Sequence, residues 1–191
     1  MTIETLSLRH GESALFGYGS LISKESLERT LGRRYTGPFI VCELAGWRRG
    51  WDVFMPNDRT FYTESPAGHM YPDKILYLNV RRMPGSATNG ILFVVGPEDL
   101  AVFDQREWIY DREDITDELR SVTVRGGRGF TYVAKSGYRL SSAASPEQAA
   151  VRLSYLEILE AGFADLGDSF RIGYEKSSDP VPEHLIIADR R

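Results

Sequence analysis

Apolar positions in this chain come mostly in short runs, continuous or alternating, broken by glycine and proline. The run 13–18 (SALFGY) reads as a short buried strand ended by Gly19 and Ser20. The segment 24–31 is rich in charge, holds Leu27 and Leu31, and lacks proline. It predicts a helix capped by Ser23 and closed by Gly32. Residues 39–45 predict a strand, followed by a turn at Arg48, Arg49 and Gly50 between Trp47 and Trp51. Residues 56–73, with three prolines and Asn57, Asp58 and Gly68, predict a long irregular excursion. The runs 75–80 and 90–95 predict two further strands. Pro97 opens a helix at its favoured first position, with Glu98 and Asp99 at the positive end of the dipole. Val122 and Val124 alternate as a strand, and a Gly-rich turn at 125–129 leads to another at 130–134. From Pro146 runs the longest helical pattern, with Leu153, Leu156, Ile158, Leu159 and Phe163 to one side and Gly167 as its stop. Residues 180–187 read as an extended tail packed on the body. Strands joined mainly to strands, with helices interspersed, predict an α+β fold: a small, curled, mixed or antiparallel barrel-like sheet flanked by helices.

Composition narrows the picture. The 191 residues, 42% hydrophobic and 26% charged, suit one domain over 1–191. Its core spans about 14–170, with an extended C-terminal tail at about 178–191. A net charge of −4 without basic runs argues against broad capture of nucleic acid or an anionic membrane. The single cysteine, Cys42, excludes an intrachain disulfide and suits a reducing compartment. The N-terminal segment lacks a signal-like apolar core, and no stretch approaches the ~18 apolar residues of a membrane span. The expectation is a cytoplasmic protein.

Two segments carry candidate chemistry. In FGYGSLI (16–22) a strand runs into a glycine-flanked turn and then a helix. Such a turn either just reverses the chain tightly or exposes successive N–H groups as an anion cradle. In the second segment, 100–115, Glu107 sits between Arg106 and Trp108 at a helix end. It is either a solvated surface acid or a carboxyl held against aromatic rings, with a raised pKa suited to moving a proton.

Taken together, Tyr18, Gly19, Ser20 and Leu21, then Phe103, Asp104, Glu107, Tyr110 and Arg112, resemble the motifs of the γ-glutamylcyclotransferases. The strand and aromatic-Arg turn at 44–49, the strands at 90–94 and 130–133 and the helix at 155–167 fit the same pattern. That helix is similar to one in the glutathione-degrading branch. The resemblance implies that the α-amine of a γ-glutamyl group attacks its own side-chain carbonyl, releasing 5-oxoproline and an amine or amino acid. It implies Glu107 as catalytic acid/base, the Tyr18–Gly19–Ser20–Leu21 turn as the seat of the glutamyl moiety, and Tyr110 and Tyr132 as substrate contacts. It implies no metal, nucleotide or organic cofactor, and a small γ-glutamyl compound as partner. The leaving group stays open, as do a related small-amide hydrolase or lyase and a non-catalytic binding protein on the same fold. His69, Tyr62 and Tyr71, in the 56–73 excursion, either line a leaving-group pocket or cap the sheet. Tyr138 is a weaker substrate-contact candidate than Tyr132.

Other signals lose on inspection. Arg9, His10, Gly11 and Glu12 match a histidine-phosphatase signature, but the further histidine and arginines of such a site have no convincing strand ends to stand on, and an exposed turn is expected. The histidines at 10, 69 and 184 are too scattered for a metal site. Gly17 and Gly19 are not followed by the third glycine of a dinucleotide fingerprint. Cys42, inside an apolar run, reads as an inert core residue.

Overall fold

The computed structural model describes residues 4–140 and 149–191. Two long strands organise it. β3 (Phe39–Pro56) lies antiparallel to β6 (Lys74–Val95), from the pair Phe39 and Phe93 to the pair Pro56 and Lys74. On its other side, β6 is shared by two strands. Its C-terminal end pairs antiparallel with β2 (Ser13–Gly17), and its N-terminal end pairs parallel with β11 (Ala149–Arg152). β2 continues in parallel to β10 (Gly129–Ala134), and β10 antiparallel to β7 (Tyr110–Asp114). β12 (Ile186–Ile187) extends the far edge beside β11, and β8 (Leu119–Arg120) pairs with β3. The result is a curled eight-stranded mixed sheet, because strand twist accumulates along β3 and β6 while different neighbours attach at their ends. β1 (Glu4–Ser7) and β9 (Val122–Arg125) form a separate parallel ribbon, and β4 (Thr63–Ser65) and β5 (Gly68–Met70) a small hairpin.

Among the described residues four α-helices flank the sheet: α1 (Lys24–Leu31), α2 (Pro97–Arg106), α3 (Leu153–Leu166) and α4 (Asp168–Lys176). The Ser23 hydroxyl accepts from the Ser26 N–H at 3.3 Å, and Gly32 ends α1 in the left-handed region, as the sequence predicts. Leu15, Phe16, Ile22, Leu27, Leu44, Trp47, Phe93 and Phe103 fill the core between helices and sheet. Cys42 is buried there, and burial pushes its thiol up to about 12.

Several expectations need correction. The predicted strands 75–80 and 90–95 are two parts of β6, which keeps the same partner throughout. Arg82 faces Trp47 and Ala87 faces Ala45, so residues 83–86 bulge out opposite Gly46. Pro84 cannot donate to a ladder, and Gly85 and Gly46 both have φ above +80°, which lets the pairing resume beyond the bulge. Arg48, Arg49 and Gly50 make no turn. They continue β3, and a second bulge at Trp51 and Asp52 shifts the register before Val53. The 56–73 excursion holds the β4–β5 hairpin. It is braced by Asn57, whose amide donates to the Phe61 and Pro72 carbonyls, both at 2.7 Å. Residues 149–152 are strand rather than helix, and Pro146 lies outside the described residues. Gly167 ends α3, but α4 starts immediately after it. The tail adds a 3-10 turn, Glu183–Leu185, as well as the edge strand β12. The 9–12 segment is an exposed turn in which Glu12 accepts from the Arg9 N–H at 2.7 Å.

Candidate functional site

β2 ends at Gly17 in the middle of the sheet, and the chain leaves it through Tyr18 and Gly19 into a 3-10 turn, Ser20–Ile22. The turn backs onto α3. A Cβ on Gly19 would stand 2.7 Å from the Tyr155 hydroxyl, so only glycine lets the backbone come this close. The Gly19 N–H has no acceptor among the described residues. The Tyr174 hydroxyl, on α4, donates to the Tyr18 carbonyl at 2.9 Å, and the Tyr18 hydroxyl donates to the Tyr132 carbonyl at 2.7 Å. In a trans peptide C=O and N–H point oppositely, so the bond to Tyr174 turns the Gly19 N–H away from α4.

Glu107 enters from the other side. It caps α2, its N–H donating to the Phe103 carbonyl at 2.8 Å, and buried Phe103 roots that helix end against Phe93. Arg106 joins the two halves of the site. Its Nε lies 3.2 Å from Glu107 Oε1, and its Nη2 donates to Ser20 Oγ at 2.8 Å. It also donates to Thr30 Oγ1 on α1. Both carboxylate oxygens of Asp104 accept from Arg112 Nη1, at 2.8 and 3.1 Å, and Oδ1 also accepts from the Tyr132 hydroxyl at 2.8 Å. This fixes the β10 residue whose carbonyl holds Tyr18.

Tyr18, Gly19, Ser20, Leu21, Glu107, Tyr110 and Tyr132, all singled out from the sequence, line one recess of about 40 Å³. It opens through Ser20, Glu107, Tyr110 and Tyr155 into a larger pocket of about 600 Å³. Glu107 keeps 18% of its side chain exposed at that junction. Burial raises its pKa above the ordinary glutamate range, and the Arg106 charge opposes the shift. Burial likewise raises Tyr18, Tyr110, Tyr132 and Tyr155, so these hydroxyls stay protonated at neutral pH. The arrangement offers a carboxyl able to take and return a proton, beside hydroxyl and amide donors in a partly dry space.

Tyr155 lines both cavities, and Arg106 clamps the site, yet neither was singled out from the sequence. Tyr155 sits in a helix whose apolar face looks like ordinary core. The hydroxyls that Arg106 grips, on Thr30 and Ser20, lie 76 and 86 residues away. Tyr62 and His69 stack with ring centroids 4.1 Å apart, Tyr71 packs at an angle against both, and none of the three lines the larger pocket. Tyr138 packs edge-on against Trp108 at the pocket rim. No group of three His, Cys, Asp or Glu side chains gathers in metal-binding fashion among the described residues. None of their helices is long and apolar enough to cross a membrane.

No family model and no curated protein matches the sequence. Solved structures do match the fold. A γ-glutamyl cyclotransferase superposes with a TM-score of 0.54 at 15% identity over 90% of both chains. The uncharacterized human protein loc79017 gives 0.55 at 16% identity over 91% of both. A glutathione-specific γ-glutamyl cyclotransferase from yeast gives 0.50 at 14% identity, over 88% of this chain and 98% of that one. At such identities the likeness speaks for architecture, and this chain has the γ-glutamyl cyclotransferase fold.

Proposed function

We propose that the protein cleaves a γ-glutamyl amide by intramolecular attack of the substrate's α-amine, releasing 5-oxoproline and an amine or amino acid. The observation that carries this reading is the convergence of Glu107 with the Tyr18–Leu21 turn on one recess, from positions almost 90 residues apart in the chain. The shared fold supports it.

The substrate arrives with an ammonium group, which is not a nucleophile. Ionised Glu107 takes one of its protons, and the freed amine attacks the side-chain carbonyl carbon to close a five-membered ring. The carbonyl oxygen becomes an oxyanion, for which the Gly19 N–H, lining the recess with no acceptor among the described residues, is a backbone donor. Glu107 then passes its proton to the departing nitrogen, the C–N bond breaks, and the carbonyl re-forms. The ring nitrogen loses a second proton as the released amine gains one, so the carboxylate ends as it began. Because attack is intramolecular, holding the glutamyl chain bent across the recess and the mouth of the adjoining pocket supplies much of the acceleration. Glu107 suits both proton transfers, since burial lifts its pKa while Arg106 keeps it ionisable.

The test is mass-spectrometric detection of 5-oxoproline after incubation with glutathione, γ-glutamyl amino acids and γ-glutamyl alkylamines. Wild type should release it from one of these groups. Glu107→Gln should fold and bind, with turnover reduced by about 10²-fold or more. Free glutamate in place of 5-oxoproline would make the enzyme a hydrolase, and full activity in Glu107→Gln would refute the proton shuttle.

A further inference from the structure

We infer that Asp189, in the C-terminal tail, is a positioning residue of the candidate site: it caps α3 from outside the helix and so holds Tyr155 against the Gly19 turn. This rests on the reaction proposed above and adds a control on the site by a residue that lines neither the recess nor the larger pocket.

α3 is poorly begun by its own residues. Its N-cap is Arg152, a cation at the positive end of the helix dipole, and among the described residues that side chain makes no capping bond. The first turn holds no acid either. What the helix lacks arrives from 35 positions further along the chain. The Asp189 carboxylate accepts from the Ser154 N–H at 2.9 Å and from the Ser154 hydroxyl at 2.7 Å, and stands in ion-pair range of Arg152 Nη1 at 3.7 Å. Its side chain is only 5% exposed, so the cap is a buried, charge-compensated one rather than a surface contact.

The tail is shaped to deliver that carboxylate. β12 runs parallel to β11 with Ile187 opposite Arg152, so the chain leaving β12 passes beside the start of α3. Val181, Leu185 and Ile186 pack in one apolar cluster with Val151 and with Leu156 of α3. Beyond Asp189, the Arg190 and Tyr62 backbones exchange N–H···O bonds of 2.8 and 3.1 Å, which hold the strap at its far end.

The consequence falls on Tyr155, the residue after Ser154. Its hydroxyl lies so near the turn that a Cβ on Gly19 would stand 2.7 Å from it. Its ring meets Tyr77 and Trp51 edge-on, with centroids 5.3 and 6.0 Å apart. Tyr155 is therefore a wedge between the first turn of α3 and the Tyr18–Leu21 turn, and fraying of the helix start would let that wedge move.

Amide exchange followed by NMR in Asp189→Ala tests this. Protection in the first turn of α3 should fall by about tenfold, the ordinary result of losing a cap. The discriminating amides are those of Ile22 and Ser23, which donate to the Gly19 and Ser20 carbonyls. They should lose protection by about threefold or more, and unchanged protection there would overturn the inference, because a cap of local effect reaches no further than α3. Asp189→Asn keeps an acceptor for the Ser154 N–H and should recover both losses; no recovery would refute capping as the cause. On a γ-glutamyl substrate, Asp189→Ala should lower kcat/KM by about fivefold, but by less than about twofold in a Tyr155→Phe background. Equal costs in the two backgrounds would refute transmission through Tyr155. If wild type releases no 5-oxoproline from any γ-glutamyl compound, the cyclisation reading fails, and the exchange experiment alone decides the role of Asp189. Should Asp189→Ala not fold, Ser154→Ala, which deletes one of the two bonds, takes its place under the same criteria.

Discussion

Removing one oxygen atom tests how the turn is held. Tyr174→Phe keeps the ring, which packs against Phe163 with centroids 4.8 Å apart and lies under the Arg49 guanidinium at 3.4 Å. It removes only the 2.9 Å bond to the Tyr18 carbonyl. Burial pushes the Tyr174 hydroxyl up to about 12, against the Arg49 charge, so it donates at any neutral pH. Loss of a buried bond that leaves a carbonyl without a partner costs about 1–3 kcal/mol. For a domain this size, about 2–4 °C accompanies each kcal/mol, so Tm should fall by roughly 6 °C in thermal denaturation followed by circular dichroism. With the carbonyl released, the Tyr18–Gly19 peptide can rotate and the Gly19 N–H loses its fixed direction. Small misplacements of binding groups cost up to ~10²-fold, and here kcat/KM should drop by about tenfold, carried mainly by KM. Tyr174 lines neither cavity, so direct substrate contact cannot produce that split. A variant with Tm within about 1 °C of wild type and an unchanged KM would refute the reasoning.

Other expectations are quicker to state. The acid limb of the kcat/KM profile should lie above the ordinary glutamate range, because Glu107 must be ionised and burial raises its pKa. Arg106→Gln removes the opposing charge and should move that limb to still higher pH. The same raised pKa means that the folded protein loses stability as pH rises through the Glu107 titration. Glu107→Gln should therefore gain Tm relative to wild type at pH 8, with the gain absent near pH 4. In Gly90→Ala the new Cβ would stand 2.5 Å from the Gly17 carbonyl oxygen and from the Phe16 ring, and urea titration should show a loss of about 3 kcal/mol. Cys42 should resist thiol reagents at pH 8 until the protein is unfolded, and rapid labelling of the native state would contradict its burial.

The sequence exposes those parts of the molecule whose causes are local. Ser23, Gly32 and Pro97 set helix ends through their own backbone chemistry, and the structure agrees at each. The residues lining the recess were legible because both motifs carry unusual local patterns: glycines flanking a turn, and a carboxyl among aromatic residues. Pairing over distance was not legible. Residues 81–89 look like a break because Pro84 and Gly85 punctuate turns, and only the waiting partner β3 reveals a bulge in one ladder. Ala149–Arg152 is strand because parallel partners on both sides claim it, a tertiary effect that outweighs alanine's helical preference. Arg49 looked like a turn residue. It is fully buried, with Nη1 donating to the Tyr174 carbonyl and the Ser178 hydroxyl and the guanidinium lying over the Tyr174 ring, none of which its neighbours in sequence announce.

The spacing of the groups that build the recess also bears on the order in which it can form. Tyr18 bonds to Tyr132 across 114 positions and to Tyr174 across 156, and β2 runs parallel to a strand more than a hundred residues later. Closing contacts over such separations is slow, and on the ribosome it waits until the later partner has emerged. The loop around Gly19 is made before α4, whose Tyr174 comes 156 positions after Tyr18, and its direction is set only when α4 docks behind it. A nascent chain that has already exposed Glu107 therefore lacks an ordered recess, and the site assembles only once α4 has followed and docked.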